Sequence, residues 1–108
     1  MAADFLWQGT DEDGTESFIA QDQWNIHIAK RIEIADALGL TIRAMTKPES
    51  IEPDSNRSDE ASRYFRLLTV SAQDTRPSYY LHVSVKYVCQ TSGAWFKFYQ
   101  SCWFERVK

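Results

Sequence analysis

The apolar positions of this chain change their period as it runs. FLWQ (5–8) and TESFIA (15–20) are short apolar runs that flank GTDEDG (9–14). Gly9 and Gly14 bracket an acidic turn there, which reads as a β-hairpin. From Asp22, a good N-cap residue, Trp24, Ile28 and Ile32 recur at four-residue spacing, the stripe of a one-sided helix. A second helix is expected from Ile34 to Thr46, with Leu38, Ile42 and Met45 on one side and Pro48 as its stop. Residues 47–62 are polar and read as a loop in which Ile51 is a buried anchor. Three longer runs, 63–71, 79–89 and 94–104, then read as strands joined by turns at 72–77 and 90–93. Connections this short favour antiparallel pairing. The fold class is therefore α+β: an N-terminal hairpin and two helices packed on one face of an antiparallel sheet.

Strand alternation assigns side chains to faces. Leu81, Val83, Val85 and Tyr87 form the core side of the second long strand, and Tyr80, His82, Ser84 and Lys86 point away. On the third, Phe96, Phe98, Cys102 and Phe104 match the core set with Gln100 as a misfit, which sends Trp95, Lys97, Tyr99, Ser101 and Trp103 to the other face. On the first, Phe65 and Leu67 read as core, and Tyr64 and Arg66 as outward. The outward face then presents Tyr64, Arg66, His82, Ser84, Lys86, Tyr99 and Ser101. Its plainer reading is the solvated side of an antiparallel sheet. Tyrosines beside Arg and Lys also suit base stacking with phosphate contact.

Length and composition fit one domain: 108 residues, 44% apolar. No apolar run reaches the roughly 20 residues that span a bilayer, and no export leader is seen, so a reducing, cytoplasmic setting with Cys89 and Cys102 as free thiols is expected. A disulfide between them is the alternative. The net charge of −3 hides an asymmetry. Of 15 acidic residues six fall within the first 22, which hold no base; the other nine share the remainder with all 12 Lys and Arg. Residues 1–19 thus form an acidic arm, most simply a solvated hairpin, and 20–108 a core of net positive charge.

No zinc spacing, P-loop, dinucleotide fingerprint or complete calcium loop is present, so neither metal nor cofactor is expected. A nucleophilic cysteine lacks a neighbouring base. What the residues can support is metal-free RNA cleavage. That reaction needs an acid and a base near neutrality and cations on the phosphorane. His27 and Arg31 lie four apart on the first helix, while Arg66, Lys86 and Ser101 share the outward sheet face; His82 is a weaker second acid–base candidate. If the helix edge reaches the sheet rim, these groups converge.

The ordered elements W-x-x-H-I-x-x-R-x-E (Trp24 to Glu33), K-P-E-S-I (Lys47 to Ile51), Y-x-R (Tyr64, Arg66), Y-L-x-V-x-V-K (Tyr80 to Lys86) and a last strand with Ser101 resemble phage-type members of the barnase–EndoU–colicin–RelE nuclease superfamily. The resemblance covers about residues 19–104. It implies a barnase/RelE-like fold and a metal-independent ribonuclease, often a toxin or phage effector, with RNA as substrate and a cognate inhibitor as a further partner. By position it carries His27, Arg31, Tyr64, Arg66, Lys86 and Ser101 into the catalytic site. His27 is then acid or base, Arg31, Arg66 and Lys86 hold phosphate, and Tyr64 and Ser101 orient it. The chain departs from the pattern at Ile32, where the family has Pro, at Ser101-Cys102-Trp103 in place of T-A-Y, and in the acidic hairpin. The alternative is a non-catalytic interaction or inhibitor domain on the same fold, binding nucleic acid or protein. A regulator reading DNA is weaker still, because no DNA-reading helix is apparent.

Overall fold

The computed structural model describes residues 4–73 and 75–107; Asp74, within the expected 72–77 turn, and the extreme ends of the arm and core lie outside them. Six strands, β1 (Phe5–Thr10), β2 (Glu16–Ala20), β3 (Ser50–Pro53), β4 (Arg63–Ser71), β5 (Tyr79–Cys89) and β6 (Trp95–Arg106), form one sheet in the order β1-β2-β6-β5-β4-β3. Helices α1 (Gln21–Lys30) and α2 (Leu38–Thr46) cover one face of it. The expected α+β class with helices on one face is what is found. One pairing departs from the antiparallel expectation: β2 runs parallel to β6. The N-terminal hairpin is thereby part of the same sheet, and Ile19 is fully buried in its core.

The helices are shorter than the sequence suggests. α1 starts one residue before Asp22, on Ala20 without a side-chain cap. It stops at Lys30 because Arg31 leaves helical geometry at φ −139°, ψ 85°. A 3-10 turn, Ile32–Ile34, then re-aims the chain, so Ile34 enters the core while Ile32 is 77% exposed. The expected stripe therefore ends at Ile28, and α2 begins at Leu38 rather than Ile34. Segment 47–62 is not all loop, since residues 50–53 pair with β4 as an edge strand. Ile51 in that strand is 52% exposed, too open for a buried anchor.

Two register facts overturn the face assignments. First, β6 bulges at Gln100: Ser101 lies opposite Ser84 and Tyr99 opposite Val85, so Gln100 has no partner across the strand. A bulge inverts alternation for everything before it. Lys97 and Tyr99 consequently face the helices and are buried, while Phe96 and Phe98 face outward. Cys102, after the bulge, is in the core as expected. Second, on β4 the core pair is Leu68 and Val70, opposite Val83 and Leu81. The same parity puts Tyr64 and Arg66 on the helix side and sends Phe65 and Leu67 outward.

Burying Lys97 requires a partner, because an unpaired ammonium is costly in a low-dielectric interior. Its Nζ donates to Asp11 Oδ2 and to the Met45 carbonyl oxygen, each at 2.5 Å. Asp11 Oδ1 accepts the amides of Asp13 (2.9 Å) and Thr15 (2.8 Å), which shapes the β1–β2 turn. Gly14, at φ +82°, closes that turn in a conformation that other residues rarely adopt. The Glu12 amide donates to the Thr46 carbonyl, docking the turn on the C-terminus of α2. Burial pushes the Asp11 carboxyl up, but the Lys97 bond and the turn amides outweigh it and leave it below its ordinary value.

Removing one member of this pair strands the other. Lys97→Met should cost about 3 kcal/mol or more in urea unfolding, and Lys97→Met with Asp11→Leu less than the sum of the two single changes. Because the Asp11 value is depressed on folding, its stabilisation is present above about pH 4 and lost as pH falls further. The stability gap between wild type and Asp11→Asn should therefore close on acidification below that point.

Candidate functional site

His27 projects from α1 onto β6. Its Nδ1 lies 2.9 Å from the Tyr99 hydroxyl, and the two rings meet edge to face at 73°. Tyr99 is 2% exposed, and its hydroxyl also donates to Cys102 Sγ at 3.3 Å, a sulfur that Thr41 Oγ1 approaches at 3.9 Å. The Tyr99 hydroxyl donates to Nδ1 or accepts from it according to the imidazole tautomer, and Nε2 has no partner among the described residues. Burial lowers the His27 pKa, and the charges of Lys30 and Arg31 lower it further. The imidazole is neutral at pH 7. Burial raises both Tyr99 and Cys102, so this chain of groups stays uncharged at neutral pH.

Arg31 is not a helical neighbour of His27. It lies beyond the last turn of α1, exposed, with its backbone amide donating to the His27 carbonyl at 2.8 Å. Arg66 is committed to Asp59 at 3.1 Å and lies 4.6 Å above the Tyr64 ring. Tyr64 in turn stacks on Tyr87 (centroids 4.5 Å apart, 12° between planes) and leans on Trp95. These groups form a sandwich on the helix side of the sheet. Arg66, Val85 and Tyr99 occupy one cross-strand row. Two strand spacings put Arg66 and Tyr99 about 10 Å apart at the backbone. Val85, fully buried, stands between them.

Lys86 and Ser101 lie on the opposite face. Lys86 sits between Phe65 and Phe98, and Ser101 opposite Ser84, whose hydroxyl donates to Asp54 Oδ2 at 2.8 Å. His82, also outward, has both ring nitrogens engaged, Nδ1 with Thr69 (2.8 Å) and Nε2 with Glu105 (2.8 Å). The sheet therefore separates the six sequence-derived site residues. Tyr64 and Arg66 lie on its helix side, onto which His27 projects from α1, Arg31 caps the end of α1, and Lys86 and Ser101 face away. Proton transfer requires hydrogen-bond reach, and a side chain cannot act through a sheet.

The outward face has a feature that the sequence reading did not assign. Phe18 packs at 5.2 Å against both Phe96 and Phe98 and at 4.9 Å against Phe5, which is itself 41% exposed. The signal for this cluster was present as Gln100, the polar misfit in an otherwise alternating strand. Placing the bulge there turns Phe96 and Phe98 outward. A cavity of about 300 Å³ lies elsewhere, lined by Glu33, Asp36, Ala37, Thr75, Arg76 and Phe104, and contains none of the predicted residues. Both cysteines are free. Among the described residues no helix is long and apolar enough to cross a membrane.

The depressed His27 value has a sign that can be measured. Its unfolded form takes up a proton near pH 6.5 before the folded form does. Stability contributed by the neutral ring is thus present above that pH and lost below it. Wild type should lose stability between pH 7 and 5, and His27→Gln should flatten that segment of the profile; NMR titration should place the His27 midpoint below 6.5.

Comparison with protein-family models, with characterised proteins and with solved structures finds no match to this chain. The resemblance to the nuclease superfamily accordingly rests on the order and spacing of its sequence motifs.

Proposed function

We propose that this chain is a non-catalytic interaction domain that binds a basic protein partner through the β1–β2 end of its sheet. The observation that carries this reading is the outward ring cluster beside the acidic hairpin, in which exposed Phe5 and half-buried Phe96 and Phe98 pack around a buried Phe18. Exposed aromatic surface with a polar rim is characteristic of protein contacts. Among the described residues, Asp4, Glu12, Asp13 and Glu16 form no ion pair, so the hairpin's charge is available to a partner. Such a surface repels a polyanion and attracts a cationic protein. RNA is the less fitting occupant for that reason.

A metal-independent ribonuclease, toxin or phage effector, is the second reading. It draws on the neutral His27 ring, held through Nδ1 with Nε2 unengaged among the described residues, on the same side of the sheet as Arg66. In this reading His27 exchanges the proton and Arg66 and Arg31 hold phosphate, while Lys86 and Ser101 act only if a second surface contributes.

Incubating wild type, His27→Ala and Lys86→Ala with RNA in EDTA separates the two readings. The interaction domain predicts no cleavage by any of them and no RNA retention at about 0.15 M salt. Cleavage by wild type that His27→Ala abolishes would overturn it in favour of the ribonuclease, and Lys86→Ala should then keep its activity.

A further inference from the structure

β1 is an edge strand, and its free side has unusual properties. Among the described residues, no backbone hydrogen bond joins Phe5–Thr10 to anything but β2, apart from helix α1's start meeting Asp4 just before the strand. An open row of N–H and C=O groups is a template for another strand, which proteins ordinarily blunt with Lys, Pro or a bulge. The other edge follows that practice, because β3 has four residues and ends in Pro53. β1 has six residues, FLWQGT, with neither Lys nor Pro. Its one irregularity lies between Phe5 and Trp7, which leaves Trp7–Thr10 in regular register. Gly9 cannot be replaced without moving Trp7, whose indole lies 2.5 Å from where a Cβ would stand. The strand backbone is thus pinned from the helix side and open at its edge.

We infer that β1 is completed by strand addition: an extended, Lys- or Arg-rich segment of a partner protein pairs with Trp7–Thr10. Charge selects the occupant. The open edge runs from Asp4 at one end to Glu12 and Asp13 at the other, with Glu16 across from Thr10. A basic segment meets opposite charge at both ends, and its side chains alternate between solvent and the Phe5 side of the sheet. A second copy of this chain is disfavoured by the same charges, because antiparallel β1–β1 pairing would bring each Asp4 towards the other copy's Glu12 and Asp13. This inference rests on the interaction-domain reading and adds the backbone mode and the chemistry of the partner.

The test uses eight-residue peptides alternating Lys and Val, titrated into the protein while amide exchange is followed by NMR. The Lys-Val peptide should slow exchange of the free-edge amides within Trp7–Thr10 by about tenfold or more at saturation. Raising salt from about 0.05 to 0.5 M should weaken its binding severalfold. Glu12→Gln with Asp13→Asn, both exposed in wild type, should do the same at low salt. A Glu-Val peptide should give no protection. N-methylation of one alternate set of Lys-Val residues, the set whose amides face β1, should abolish protection while methylation of the other set does not. No protection by the Lys-Val peptide, or equal protection by the Glu-Val peptide, would overturn the inference. Binding that survives methylation of both alternate sets would overturn strand addition and leave the interaction domain standing. Dimers at high salt with the same amides protected would assign the edge to a second copy instead. Cleavage of RNA by the same preparation would remove the interaction-domain reading without touching the peptide result.

Discussion

The buried contact between Lys97 and Asp11 is the constraint on which the arrangement depends. It joins three parts that are distant along the chain: the β1–β2 turn, the C-terminus of α2 and the start of β6. A buried ion pair is not by itself strong evidence of stability, since its attraction must offset the desolvation of both ions. Its consequence here is specificity. With Lys97 held inward, β6 must bulge at Gln100 before Cys102 can also face the core. The same inward lysine fixes where the acidic hairpin sits, because only Asp11 among its carboxylates is turned in. The hairpin is consequently fastened to the core through one carboxylate, and its other charges stay at the surface.

That geometry governs function through the sheet. A sheet with helices on one face gives two chemically separate environments, and alternation decides which a residue enters. His27, Tyr99, Tyr64 and Arg66 belong to the enclosed side, where tyrosine, sulfur and guanidinium groups are already engaged with one another. Lys86, Ser101 and the phenylalanine cluster belong to the other. The set that looks like one catalytic group in sequence order is divided by the backbone itself, while the aromatic and acidic groups nobody would pair from sequence order are brought to one end of the sheet.

The sequence carried the elements well where a single period dominates. Strands at 79–89 and 63–71 match β5 and β4, and Pro48 follows the end of α2 as expected. It failed at places where two signals compete. Ile32 continues the apolar period of α1, but the chain has already left the helix at Arg31. In β4 both parities are partly apolar, since Phe65 and Leu67 compete with Leu68 and Val70, and only pairing with β5 decides between them. In β6 the register break is one residue long. It reverses the facing of Trp95 to Tyr99 and so changes the reading of Lys97 from a solvated cation to a core residue.

By itself, then, the sequence determined the α+β class, the order of helices and long strands, the acidic character of the hairpin and the residue types available for chemistry. These follow from local periodicity, turn residues and charge, which act over a few neighbouring positions. Only the tertiary structure decided that β2 lies parallel to β6, that Lys97 meets Asp11, and that His27 and Lys86 stand on opposite sides of the sheet. Those outcomes depend on pairing between segments tens of residues apart. There a single bulge exchanges the two faces, and no short stretch of sequence encodes which strand will lie beside which.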